Sequence, residues 1–227
     1  MTIRIDIISA NPAITESSLS NGLISRAISK NLLQVYVHNL RDYAEGKYRQ
    51  IDDEPYGGGS GMILKPEPIF RCIRKLLTER DYDDVIYLSP QGIRYTQKIA
   101  NNYTLKNNLI IICGHYKGID ERVIKKLVNT EISIGDFVLS CGDIAAVVFI
   151  DSVARLIPGV LNDGESAMTD TFQIDTGFDF PQYTRPDKYE KLKVPEILLS
   201  GNHSEIAKWR QKKAIAKYKK IKKINKY

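Results

Sequence analysis

The stretch Leu109-Ile-Ile-Ile-Cys-Gly-His-Tyr-Lys-Gly118 decides the fold predicted for this chain. Its first five residues are apolar, which is typical of a buried strand, and they lead directly into a loop with two glycines. Val85–Leu88 leads in the same way into Tyr87–Gly92, and Glu131–Ile134 leads into Ser133–Gly142. Ligands bind outside the carboxyl ends of parallel strands, so three such loops in succession favour a small-molecule site. One loop alone would be weak support, because most strand-to-helix turns carry a glycine.

Outside these loops, strand-like and helix-like segments alternate along the chain. Two more runs rich in β-branched residues predict strands at Ile3–Ile8 and Val35–His38. Longer stretches predict helices at Asn21–Leu33, Pro66–Leu77, Tyr95–Tyr103, Glu121–Val128 and Ile144–Leu156. This alternation predicts an α/β fold with a parallel sheet that is covered on both faces.

The composition of the chain changes after Pro158. The segment Gly159–Ala167 is small, polar and contains glycine, which is typical of a flexible linker. Further on, Asn202 and Glu205 predict the start of a helix whose apolar stripe consists of Ala214, Tyr218, Ile221 and Ile224. We therefore predict a domain at 1–160, a linker at 161–168 and a small, mostly helical domain at 169–227.

Positive charge is concentrated at the C-terminal end of the chain. The formal net charge is +6, but Lys208–Lys226 contains ten Lys or Arg residues and no acidic residue, so the remainder is net negative. Such a local field favours a polyanion such as nucleic acid. A solvated lysine tail without a partner is the alternative that composition leaves open.

Several classes of protein are disfavoured by the sequence. No segment approaches the roughly 18 consecutive apolar residues of a membrane span, and the N-terminus does not resemble a signal peptide. The cysteines Cys72, Cys113 and Cys141 lack the spacing of a zinc site or a disulfide framework. We expect a cytoplasmic protein with no membrane partner and no zinc site. Neither common phosphate-binding motif, GxGxxG after a strand or GxxxxGK[ST], occurs.

The segment Asp52-Asp-Glu-Pro-Tyr-Gly-Gly-Gly-Ser-Gly-Met62 is the most unusual in the chain. Four glycines in five positions are entropically costly to order. Two interpretations remain open at this point: a mobile loop tip, or a loop that folds against a ligand or a partner subunit.

Seven strings in this order resemble the TrmD family of bacterial tRNA (guanine-37, N1)-methyltransferases. They are DDEPYGGGSGM, YLSPQG, ICGHYKGIDERV, EISIGDFVLS, IDSVARLIPGVL, PQYTRP and VPEILLSGNHSEIAKWR. The resemblance runs from the first predicted strand to Trp209. It implies the SPOUT fold, in which the last part of the parallel α/β domain forms a deep trefoil knot. It also implies a homodimer with active sites at the subunit interface, and tRNA as a partner.

The resemblance implies S-adenosylmethionine as the methyl donor, bound by the three glycine-containing loops. The residues implied to bind it are Tyr87, Leu88, Ser89, Pro90, Gly114, Tyr116, Gly118, Ser133, Ile134, Gly135, Asp136, Phe137, Val138, Leu139, Cys141 and Gly142. Contacts to tRNA are implied for Gly61, Gln91, Arg185, Lys208 and Arg210.

By the same resemblance, Asp170 matches the general base and Arg155 matches the residue that stabilises charge on the guanine. Neutral N1 of guanine carries a proton, so its methylation needs a base and a cation near O6. The residue types fit, since Asp is ionised at neutral pH and Arg stays charged. Without the resemblance, the sequence predicts that Asp170 caps a helix and that Arg155 forms a salt bridge. Because Asp170 follows the predicted linker, we expect the linker to order when tRNA binds.

Three positions depart from the family pattern: Lys117 replaces Glu, Cys141 replaces Gly and Tyr48 replaces His. The Glu is linked to a divalent metal in the family, and a lysine would repel a cation, so metal dependence stays open. The alternatives are a non-catalytic RNA-binding protein that keeps the cofactor fold, and a knotted methyltransferase of ribosomal RNA. The histidines His38, His115 and His203 lack a catalytic arrangement, and we expect core or surface roles for them.

Overall fold

The computed structural model describes residues 2–161, 171–172 and 178–224, with side chains as far as Lys220. Contacts divide the chain into two compact units, Met1–Asn162 and Asp163–Tyr227. Most of the linker predicted at 161–168 lies outside the described residues, so its character stays a prediction.

The first unit is built on a five-stranded parallel sheet, which confirms the predicted α/β class with a parallel sheet. The strand order is β2-β1-β6-β5-β7, and the strands are β1 (Ile3–Ser9), β2 (Leu33–Asn39), β5 (Asp84–Arg94), β6 (Asn108–Cys113) and β7 (Thr130–Ser133). β6 lies between β1 and β5 and is almost entirely buried, as its apolar run predicts.

Helices cover both faces of this sheet. They are α1 (Pro12–Leu19), α2 (Gly22–Ser29), α3 (Pro66–Glu79), α4 (Gln97–Tyr103), α5 (Glu121–Leu127) and α6 (Gly142–Ala154), with a 3₁₀ turn at Leu40–Tyr43. Successive strand residues face opposite cores: Ile111 packs with α2, α4 and α6, whereas Ile110 and Ile112 pack with α3 and α5.

One helical expectation needs correction, and one helix was missed. The helix expected at Asn21–Leu33 ends at Ser29, because Asn31 has a positive φ of 55° and Leu33 already begins β2. α1 was not expected; it packs against α6 despite its polar sequence.

Two short strands position the glycine-rich segment. β3 (Asp52–Asp53) pairs with β4 (Ile63–Leu64), and Gly57–Gly61 lies in the connection between them. β4 in turn bonds to the loop after β6: the amide of Lys117 donates to Met62 O at 3.0 Å and the amide of Leu64 donates to Gly118 O at 3.0 Å. The glycine-rich segment is therefore tied at one end to the central glycine loop.

The second unit contains an antiparallel pair, β8 (Lys188–Tyr189) and β9 (Leu192–Lys193), followed by the helices α7 (Glu196–Leu199) and α8 (His203–Ile224). The Asn202 side chain accepts from the Glu205 amide at 3.3 Å and so caps α8, as expected. The Glu205 carboxylate accepts from Nζ of Lys208 at 2.7 Å. None of the helices in the described part of the chain combines the length and apolar character needed to cross a membrane.

Candidate active site

A cavity of about 330 Å³ opens beside an irregularity in β5 and where β6 and β7 end. Three loops form its wall: the residues that follow Leu88, the loop Gly114–Gly118, and the segment between β7 and α6. Each loop follows a neighbouring strand of a parallel sheet, so their convergence results from the strand order.

The central loop rests on the ring of Tyr87. A Cβ at Gly114 would lie 3.0 Å from the Tyr87 hydroxyl oxygen, and one at Gly118 would lie 3.1 Å from it. The loop turns through Tyr116 and Gly118, both with positive φ, and the Gly118 amide donates to His115 O at 2.9 Å. Burial, followed by the nearby charge of Glu131, raises the pKa of Tyr87 to about 12, so its hydroxyl stays protonated under the loop.

Two backbone contacts join the third loop to the central loop. Cys141 and His115 form an antiparallel bridge, and the Gly142 amide donates to Gly114 O at 2.7 Å. A Cβ at Gly142 would lie 2.8 Å from Gly114 N and 2.9 Å from Cys113 Cα. Glycine is therefore required here, since any side chain would force two backbone segments apart.

The first loop is an irregularity within β5. Leu88 and Ile93 both pair with Ile132, so the four residues between them bulge out of the pairing, and Ser89, Pro90 and Gln91 among them line the cavity. The Ser89 hydroxyl accepts from the Gln91 amide at 3.2 Å and stabilises this excursion. We expected a loop here but not that β5 resumes after it.

The buried carboxylate of Asp143 anchors the first turn of α6. It accepts from the hydroxyl groups of Ser9, at 2.5 Å, and Thr15, at 3.1 Å. These bonds connect β1 and α1 to the helix whose first residue lines the cavity.

The structure brings the residues expected to bind the cofactor together around this cavity, with one exception. All of them line it except Asp136, whose side chain is 87% exposed and lies 3.6 Å from Arg94.

Of the two residues expected to be catalytic, the structure describes only Arg155. Arg155 is half-buried at the C-cap of α6. Asp170 lies outside the described residues, so the pairing of these two residues stays a prediction.

The residues expected to contact tRNA fall into two groups. In the first unit, Gln91 lines the cavity, and Gly61 lies against the side chain of Lys117. In the second unit, Arg185 and Arg210 line a separate cavity of about 350 Å³, and the Arg210 guanidinium lies 4.6 Å from the centre of the Phe180 ring. Lys208 pairs with Glu205 on α8.

Comparison with known proteins identifies the family. The family model described as tRNA (Guanine-1)-methyltransferase TrmD matches residues 3–224. The chain belongs to the TrmD family.

Relatives of the TrmD family match the chain over nearly its whole length. The tRNA (guanine-N(1)-)-methyltransferase of Chlorobaculum tepidum is 53% identical over 212 residues, which cover 93% of this chain and 92% of that protein. The enzyme of the same name from Porphyromonas gingivalis is 50% identical over 219 residues, covering 96% and 97%. The crystal structure of tRNA (m1G37) methyltransferase from Aquifex aeolicus has a TM-score of 0.79 at 38% identity, covering 96% of this chain and 91% of that chain.

Lys117, which the resemblance singled out as a departure from the family pattern, lines the cavity. The resemblance did not identify three other polar residues of the cavity wall, His115, Glu121 and Glu131. Nδ1 of His115 is buried and has no hydrogen-bond partner among the described residues. Its position inside the Gly114–Gly118 loop was the available signal. Within the described ranges, no cluster of three His, Cys, Asp or Glu side chains is arranged to hold a metal ion.

Proposed function

We propose that this chain transfers the methyl group of S-adenosylmethionine to N1 of the guanosine at position 37 of tRNA. Membership of the TrmD family, together with a cavity built from the three family loops, carries this proposal. The non-catalytic alternative is disfavoured, because relatives about half identical to the chain are named as methyltransferases.

The cavity suits S-adenosylmethionine in size and in chemistry. Its volume lies in the range of about 300–1,000 Å³ that is usual for small-molecule sites. Close-packed glycines expose backbone N–H and C=O groups that can read an adenine edge, and His115 Nδ1 offers a buried polar atom without a partner. The Gly114–Gly118 loop and the residues between Ser133 and Gly142 would hold the cofactor. When bound, it supplies a methyl group on a positively charged sulfur.

The protein has to remove the N1 proton and stabilise charge on the guanine. Asp170, ionised at neutral pH, accepts the proton, and Arg155 donates toward O6, where negative charge accumulates. Arg155 lies at the end of α6 away from the cavity, roughly 20 Å along the helix from Gly142, so this role fits a site that a second copy of the chain completes. The target base must leave the anticodon stack to reach the cavity.

The second unit would hold the tRNA by its phosphates. The side chains of Arg185 and Arg210 line a common cavity there, and the lysines of α8 add positive charge. Contacts of this kind position RNA but carry little sequence information. We expect the linker at 161–168 to become ordered at this step and deliver Asp170.

The finer architecture belongs to the same proposal. We expect a trefoil knot, and the contacts between Gly114–His115 and Cys141–Gly142 support it, since they join the two segments that would cross. We also expect a homodimer, because Ile144 and Val148 lie one turn apart on α6 and are 44% and 45% exposed. A tRNA substrate would be met in the cytoplasm.

Methyl transfer from labelled S-adenosylmethionine to an unmodified tRNA transcript tests the reaction. A transcript with adenosine at position 37 is the matched control. We expect label on the first transcript only, and a loss of about 10²–10⁴-fold for Asp170→Ala.

Asp42→Ala, which removes an exposed carboxylate that lines neither cavity, should retain activity. Tight binding of the transcript without transfer would support the non-catalytic alternative. Equal labelling of both transcripts would show that the target nucleotide is wrong.

A further inference from the structure

Lys117 is the basic side chain among the residues that form the wall of the first-unit cavity. The acidic residues of the same wall are Glu121 and Glu131. Lys117 lies in the central loop, between Tyr116 and Gly118, and its backbone amide is bonded to Met62 O at 3.0 Å. This bond fixes the backbone of Lys117, in the central loop, against the end of the glycine-rich segment.

The aliphatic stem of Lys117 crosses Gly61. A Cβ at Gly61 would lie 2.9 Å from Cγ and 3.3 Å from Cε of Lys117, so only glycine leaves room for this path. Gly61 also has a φ of +96°, which disfavours other residues. Packing along the stem limits the positions open to the ammonium group and lowers the entropy lost when it binds a partner.

No carboxylate in the described parts of the chain forms an ion pair with Lys117. The neighbouring acid Glu121 lies 3.6 Å from Lys125 instead. Glu131 lies near Tyr87, whose pKa its charge helps to raise. The ammonium group therefore remains available to an anionic group that enters the cavity.

The methyl donor has only one functional group that could be this anionic partner of Lys117. S-Adenosylmethionine carries a sulfonium and an ammonium, both positive, and its carboxylate is its single anionic group. A lysine at the cavity wall would be repelled by the first two and attracted by the third.

We propose that the ammonium of Lys117 binds the carboxylate of S-adenosylmethionine and so fixes the methionine end of the cofactor. This inference rests on the proposed function, since it needs the cofactor to occupy the cavity. It makes Lys117 a binding residue for one functional group of the ligand.

Calorimetric titration of the full-length protein with two ligands tests the assignment. S-Adenosylmethionine and decarboxylated S-adenosylmethionine differ only in the carboxylate. We expect Lys117→Gln to weaken binding of the first about fivefold, as for a partly exposed ion pair, and to leave the second unchanged. Lys117→Glu should reverse the preference, and added salt should narrow the difference between the ligands for the unaltered protein.

Lys98→Gln, which removes an exposed lysine outside the cavity, should bind both ligands normally. Equal weakening of both ligands by Lys117→Gln, or no weakening of either, would overturn the assignment and leave the proposed function intact. Failure of the unaltered protein to bind either ligand would overturn the proposed function itself.

Discussion

Asp6 on β1 is a fully buried carboxylate with three donors. Arg4 Nε lies 2.7 Å from it, His38 Nε2 lies 2.7 Å from it, and the Tyr82 hydroxyl donates at 2.8 Å. Burial alone would raise the pKa of Asp6, but the hydrogen bonds from His38, Arg4 and Tyr82 outweigh it and lower the pKa to about 2. The group therefore stabilises the fold only while it is ionised.

The sign of the pH dependence follows from this shift. The folded pKa of Asp6 lies below the ordinary value of 3.8, so its contribution is complete above about pH 4 and is lost as the pH falls toward 2. A shift of this size corresponds to about 2 kcal/mol. We predict that Asp6→Asn lowers the free energy of unfolding by at least that amount at neutral pH, and that the deficit shrinks below pH 4.

Urea titrations across this pH range measure the effect. Asp42→Asn is the control, because the exposed pair of Asp42 with Arg49 should contribute little. A deficit for Asp6→Asn that stays constant down to pH 3 would contradict the assignment.

At the scale of residues, the sequence predicted backbone-dominated positions better than side-chain chemistry. Gly114, Gly118 and Gly142 could be predicted because strand ends and glycines are visible in the sequence, and each packs against other chain atoms. His115 and Glu131 were missed because a lone polar residue in a loop does not reveal whether it faces a cavity or solvent.

At the scale of elements, the contact between the central loop and the start of α6 fixes two walls of the cavity relative to each other. The bond from Gly142 N to Gly114 O and the short distances around Gly142 leave no space for a methyl group. We predict that Gly142→Ala destabilises the fold by about 1–3 kcal/mol through overpacking and weakens binding of S-adenosylhomocysteine at least tenfold.

Thermal unfolding and calorimetry separate these two effects. Gly46→Ala is the control, since its Cβ would meet open space while its φ of +81° still introduces strain. It should cost stability of about 1 kcal/mol but leave ligand binding unchanged. Normal binding by Gly142→Ala would show that the two loops do not depend on this contact.

Helices and strands whose own sequence pattern matches their burial in the fold were predicted correctly. Those that depend on distant contacts were not. α3 begins with Pro66 and buries one amphipathic face, so its boundaries were nearly exact. α1 was missed because its packing against α6 is tertiary and leaves no apolar stripe in a polar segment. The return of β5 after Gly92 depends on pairing with Ile132, a distant contact that local sequence does not encode.

At the scale of the whole molecule, α6 connects the cavity to an exposed apolar surface. Its first residue lines the cavity, its inner face is buried, and Ile144 and Val148 point outward on one side. Phe137 and Val138, in the loop that precedes α6, are 53% and 84% exposed. Apolar groups on both the helix and the cavity wall are expected if a second copy covers them and completes the site.

We predict that Val148→Glu converts the proposed dimer into monomers of 25.8 kDa and reduces methyl transfer to tRNA by at least an order of magnitude. A charge within the proposed two-fold interface would be buried twice without a partner, which opposes association strongly. Sedimentation equilibrium measures the mass, and circular dichroism establishes that the variant stays folded. Leu105→Glu is the matched control, because Leu105 is 75% exposed and lies outside α6. Two outcomes would show that each chain completes its own site. One is an unaltered protein that sediments as a monomer, and the other is a monomeric variant with full methyl-transfer activity.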